Sequence, residues 1–141
     1  MKVDIRLDGM DETIHSINTN DRDLIHDLEK IVKRGATRTV KVAKSLAPKG
    51  KTGNLRKSIR TRDVSRDIGL RDRLAKTVTP RGKRGRHFFL NELGTQERIQ
   101  NSTGRRTGSM PARPFMDRAV QQATPNYVRE VEARIKREVI I

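Results

Sequence analysis

Cysteine and tryptophan are both absent from this 141-residue chain. Without thiols there is no disulfide framework, no thiolate metal site and no cysteine nucleophile. The compartment stays open, and a reducing cytoplasm is compatible. Aromatic residues make up 3% of the chain, with Tyr127 the single tyrosine. Modules that bind RNA or single strands stack bases on aromatic side chains, so that class is disfavoured. Apolar runs are short. No stretch approaches the ~20 residues of a membrane span, and the first residues, Met1 to Arg6, lack the apolar segment of a cleaved leader. The expectation is a soluble protein with no membrane partner.

Acidic residues are also scarce, 17 against 32 Lys and Arg, for a formal net charge of +15. Such a surplus favours polyanions or an acidic protein partner, or leaves a solvated, repulsive surface; it does not decide the fold. Hydrophobic residues are 33% and charged residues 35%, with a mean hydropathy of −0.79. That length suits one domain over residues 1–141 with one modest core. That polarity suits a subunit with flexible segments, or one whose surface is completed in an assembly.

Along the chain, Val3, Ile5 and Leu7 alternate with Lys2, Asp4 and Arg6, the period of a half-buried strand. Residues 10–19 are ambiguous, with Ile14 and Ile17 as candidate anchors. Asn20 or Asp21 can cap a helix. Leu24, Leu28, Ile31, Val32, Ala36, Val40, Ala43, Leu46 and Ala47 then recur every three or four residues, one apolar stripe over about seven turns. Gly35 interrupts it, marking close packing or a bend at a cost of about 1 kcal/mol against alanine. Pro48 stops the helix. Thr52 is placed to cap a short helix over 53–58, with Leu55 and Ile59 facing inward. Strand material follows over 59–64, 68–70 and 74–78. Residues 79–86 form a basic Gly- and Pro-punctuated loop, and 88–93 a short apolar cluster ended by Gly94. Residues 95–110 read as a long flexible loop. Pro111 and Pro114 lead into a last helix, with Pro114 in its first turn. Phe115, Met116, Ala119, Val120 and Ala123 form its apolar face, which Tyr127, Val128, Val131 and Ile135 continue. Pro125 breaks or kinks that helix, with Thr124 able to cap the continuation.

Little here has the pattern of an active site. Gly50-Lys51-Thr52 resembles the end of a phosphate-binding loop. Ser45 stands where the first glycine belongs, and a helix precedes the motif where a strand is needed. His15, His26 and His87 are isolated, without the convergent ligands of a metal site or the partner of a general base. Ser58, Ser65 and Ser109 lack a nucleophile elbow. Glu92, the only acid in its apolar cluster, reads as a structural pair with an arginine rather than a catalytic carboxylate. No enzyme activity, cofactor or metal is expected. The cations carry more weight. Lys49, Lys51, Arg56, Lys57, Arg60 and Arg62 form one run, Arg81, Lys83, Arg84 and Arg86 a second, and Arg105 and Arg106 follow. They suit phosphate contact or docking on an acidic protein ring, without any helix-turn-helix, zinc-finger or RNA-binding motif.

Three stretches stand out together. The first carries Ala47, Pro48, Thr52, Gly53, Leu55, Arg56, Ser58 and Ile59. The second is Phe88-Phe89-Leu90-Asn91-Glu92-Leu93-Gly94-Thr95, and the third holds Pro111, Pro114, Phe115 and Met116. In this order and spacing, over roughly residues 20–135, they resemble the minor tail-component family of long-tailed phages. Its members are tail-completion or head–tail joining proteins, similar to the Z-like protein of lambdoid phages. The chain departs from that pattern at His87-Phe88, where Tyr-Ala is common, at Leu93, where Phe is common, and at Pro125.

The resemblance implies an α+β fold: a long helix packed on a small antiparallel sheet, a second C-terminal helix, and flexible loops at about 79–87 and 95–110. It implies a structural virion protein of the neck, made in the host cytoplasm. Such a protein assembles as a ring, usually hexameric, that completes the tail and joins it to the head. The partners implied are copies of the chain itself and the adjacent tail-terminator or tail-tube and head-connector proteins. Contact with packaged DNA is compatible with the same cations. Those expected at partner or ring interfaces are Lys49, Lys51, Arg56, Lys57, Arg81, Lys83, Arg84, Arg86, Arg105 and Arg106. The residues expected to shape the fold are Pro48, Thr52, Gly53, Leu55, Glu92, Gly94, Thr95, Pro111, Pro114 and Phe115. The rival reading is a basic protein that contacts the phosphates of double-stranded DNA without sequence specificity.

Overall fold

The computed structural model describes residues 3–5, 22–65 and 74–139. The segment 10–19, the caps at Asn20 or Asp21 and the strand material at 68–70 lie outside these residues. Two helices dominate. Helix α1 spans Arg22–Leu46 and α4 spans Met116–Val139. Between them come α2 (Asn54–Ser58), a 3-10 turn (Lys83–Gly85) and α3 (Phe88–Leu93). Strands β1 (Val3–Ile5), β2 (Ile59–Asp63) and β3 (Lys76–Pro80) form one antiparallel sheet in the order β1-β3-β2. Its registers pair Val3 with Val78 and Thr61 with Val78. Strands β4 (Thr95–Ile99) and β5 (Arg106–Met110) form a separate hairpin. This is the expected α+β architecture, with the long helix on a small sheet and a second helix at the C-terminal end.

The stripe of α1 explains the packing. Leu24, Leu28, Ile31, Val32, Ala36 and Ala43 are all buried, which contributes roughly 1.5–3 kcal/mol per large side chain. They divide between two clusters. Ala36, Ala43 and Ala47 meet Ile59, Val78, Phe88, Phe115, Met116 and Ala119. Leu24, Leu28, Ile31 and Val32 meet Leu74, Tyr127 and Val131. Leu46, expected within the stripe, is 36% exposed, because the helix ends there and the chain turns away at Pro48.

Helices α1 and α4 run antiparallel. The Arg134 Nε of α4 reaches Asp27 Oδ2 at 2.9 Å, and Glu130 takes Arg38 at 2.9 Å and Arg34 at 3.2 Å. The hydrogen bond from Arg134 holds the Asp27 carboxyl below its ordinary range. Gly35 marks close packing rather than a bend. A Cβ there would lie 2.7 Å from Tyr127 Cδ2, so the tyrosine ring occupies the space a side chain would need.

Two sequence expectations are corrected here. Residues 95–110 are not a structureless loop; they form the β4–β5 hairpin, paired from Thr95 with Met110 to Ile99 with Arg106. Polar and glycine-rich composition hid strands whose side chains face water on both sides. Pro125 does not break the last helix, which runs unbroken from Met116 to Val139. Pro125 and Gln121, whose carbonyl loses its N–H partner, are both exposed, so water can take the freed group. Thr124 starts no new helix; its hydroxyl donates back to the Val120 carbonyl at 2.7 Å.

Candidate partner-binding surfaces

The corner after α1 is built by its own cations and turn residues. Pro48 prevents continuation, and the last carbonyls of α1 need donors. Arg56 supplies them. Its Nε and Nη2 donate to the Ala47 carbonyl at 3.0 and 2.7 Å, and Nη2 also reaches the Ser45 carbonyl at 3.3 Å. Arg56, expected among the docking cations, is therefore occupied in joining α2 to the end of α1. Thr52 is not the cap of α2. That position falls to Gly53 in the left-handed region at φ 62°, and the Thr52 hydroxyl only accepts the Asn54 N–H at 3.4 Å. Ile59 is fully buried, and Leu55 packs against the same cluster.

A second corner brings the other two stretches together. Glu92 is buried, and its Oε1 accepts the N–H groups of Phe115 and Met116 at 3.0 and 2.9 Å. The expected arginine partner is replaced by the amino end of α4, where a carboxylate also meets the positive pole of the helix. Helix α4 therefore begins at Met116, and Pro114 precedes it instead of lying in its first turn. Gly94 has φ 70°, and a Cβ there would come within 2.7 Å of both the Ala112 N and the Met110 O. Thr95 Oγ1 accepts the Met110 N–H at 2.9 Å, and the Arg113 N–H donates to the Asn91 carbonyl at 2.6 Å. Phe88 and Phe115 meet edge to face with ring centres 5.8 Å apart. These contacts clamp the base of the hairpin and leave its strands outside the body.

Among the described residues, two exposed surfaces stand out. The first is the hairpin with the adjoining face of α3. Side chains from Gln96 to Ser109 are all exposed. Phe89, Leu93 and Ile99 are 49, 69 and 61% exposed. Phe89 and Leu93 lie one turn apart on α3, so they share a face. The second is an open groove of about 440 Å³ lined by Lys57, Ser58, Arg60, Arg81, Gly82, Lys83 and Arg84. The Arg81 N–H donates to the Ser58 carbonyl at 3.0 Å and ties the basic loop to the end of α2.

The HK97-gp10-like family of bacteriophage tail components matches residues 10–88. This chain belongs to that family. No match is found among curated proteins or among solved structures. The matched span takes in the first of the three stretches and ends at Phe88. The Glu92 corner, the hairpin and α4 lie beyond it. The chain is thus a phage tail component, which assigns it to the virion.

Of the cations expected at interfaces in this tail component, Lys57, Arg81, Lys83 and Arg84 converge on the groove. Lys49, Lys51 and Arg86 are exposed but do not line it. Arg105 and Arg106 lie at the hairpin, where Arg106 faces Glu97 at 3.6 Å across an exposed pair. Arg60, a member of the first cationic run but not among the cations expected at interfaces, also lines the groove. Ile59 at the start of β2 is buried and Arg60 beside it is exposed, as successive strand residues point to opposite faces. Among the described residues, no group of three or more His, Asp or Glu side chains could hold a metal ion. No described helix is long and apolar enough to cross a membrane.

Proposed function

We propose that this tail component works by assembly at the head-proximal end of the tail. Copies form a ring, hexameric by family resemblance, which completes the tail in the neck of the virion and joins it to the head. The protein is made in the host cytoplasm and carries out no reaction of its own. Its partners are its own copies and the adjoining tail-terminator or tail-tube and head-connector proteins.

The observation that carries this reading is the hairpin. A two-stranded sheet alone is marginal in water, yet this one is held only at its base and exposes Ile99 beyond Leu93 and Phe89. Both of its outer edges are unpaired among the described strands. An edge and an apolar patch of this kind suit a neighbouring subunit that extends the sheet and covers the patch. In a closed ring such head-to-tail contacts repeat without an exposed end.

Light scattering on the purified protein, with electron microscopy of assembled particles, tests the proposal. The expected result is a ring, free or in the virion neck. Leu93→Arg with Ile99→Asp should abolish it while the circular dichroism of the monomer is unchanged. A strict monomer that is absent from the neck would sink the proposal.

A further inference from the structure

We propose that the groove of Lys57, Arg60, Arg81, Lys83 and Arg84 binds the phosphate backbone of double-stranded DNA without reading its sequence. The inference takes its setting from the tail-junction reading, since DNA leaves the head through the neck, but its physical basis is separate.

Five cations converge from three places: Lys57 from the last turn of α2, Arg60 from β2, and the others from the loop and 3-10 turn at 81–85. No acidic side chain lines the groove. Among the described residues, no ion-pair or hydrogen-bond partner engages the side chain of any of the five, whereas Arg34, Arg38, Arg56 and Arg134 elsewhere are paired. Like charges so close repel one another, and a bound polyanion relieves that repulsion.

The lining also discriminates between partners. A protein interface has an apolar centre, with charged residues depleted there. This groove has the opposite composition, five cations with a serine and a glycine and no apolar side chain. Aromatic residues to stack unpaired bases are lacking too, which argues against single strands. A backbone of regularly spaced phosphates needs only the cations.

Fluorescence anisotropy with a short duplex of arbitrary sequence, measured across a salt series, tests the proposal. Each phosphate neutralised contributes about 0.9 to the slope of log affinity against log salt. Arg60→Gln with Arg81→Gln and Arg84→Gln should therefore flatten the slope by about 2.7. Between 50 and 200 mM salt that is roughly a 40-fold difference in how far the affinity falls. The control carries Arg118→Gln, Arg129→Gln and Arg137→Gln on the exposed side of α4, with the same net charge. It should keep the wild-type slope to within about 0.9, one phosphate. Circular dichroism confirms that both variants are folded.

Equal flattening in the two variants would reduce the effect to net charge and overturn the proposal. So would displacement of the duplex by poly-glutamate at equal charge concentration, which would point to an acidic protein surface instead. A monomer that binds duplex with the expected slope leaves the groove standing while it counts against the ring. A ring that does not bind duplex does the reverse.

Discussion

Replacing Glu92 by alanine should be among the most damaging single changes outside the apolar core. Its Oε1 is the acceptor for two N–H groups, those of Phe115 and Met116, in a buried setting. Alanine leaves both without a partner, at about 1–3 kcal/mol each when a buried donor is unsatisfied. It also removes a negative charge at the helix amino end, worth about 0.3–1 kcal/mol. Fraying of the first turn lets water reach one donor, so the net loss should be about 3 kcal/mol. Against a total stability of about 5–15 kcal/mol, that is a large share. Urea unfolding should show the midpoint falling by about 1.5–2 M if the slope is about 1.5–2 kcal/mol per M. Thermal unfolding should shift by about 10 °C. Glu92→Gln keeps an oxygen acceptor and should lose only about 1 kcal/mol. Refutation would come from an alanine variant within about 0.5 kcal/mol of wild type, or from glutamine as damaging as alanine. Either outcome would mean that the two hydrogen bonds do not hold the start of α4.

Three further outcomes test other parts of the fold. Gly35→Ala should destabilise by about 1 kcal/mol, because overpacking against the Tyr127 ring costs about 1–3 kcal/mol and helix propensity returns about 1; an unfolding curve shifted toward greater stability would refute the close contact. Arg56→Ala should lose about 1–2 kcal/mol in denaturant titration, and Arg56→Lys should recover little of it, since an ammonium cannot reproduce the planar fork on the Ala47 carbonyl. Burial pushes the Tyr127 hydroxyl up to about 12, against about 10 in an unfolded chain. Its folded pKa is raised, so its contribution to stability is complete below pH about 10 and is lost as pH rises toward 12. As Tyr127 is the single tyrosine, tyrosinate absorbance reads it directly, and a native midpoint near 10 would contradict the packing.

Much of this organisation was legible in the sequence. Three- and four-residue spacing from Leu24 to Ala47 announced α1, because a helix that buries one face must repeat its apolar residues at about 3.6 residues per turn. Pro48 fixed its end by local sterics. The three stretches announced the family, and the match over residues 10–88 bears that out. Charge counting found most of the cations that line the groove. What it missed was the role of Arg56, identical in type to its neighbours but turned back onto α1. A residue's charge says nothing about which way the chain will aim it.

The sequence by itself determined the long amphipathic helix, its stop, the extended run that begins at Ile59 and the strong positive charge. Each depends on near neighbours or on composition. Only the tertiary structure decided that Glu92 caps a helix more than twenty residues further on, that Gly35 makes room for Tyr127 on the opposite helix, and that residues 95–110 form a projecting hairpin. It also drew Lys57 and Arg60 beside Arg81, Lys83 and Arg84. Those outcomes depend on which distant segments meet, and the packing of α1 on the sheet and on α4 sets that.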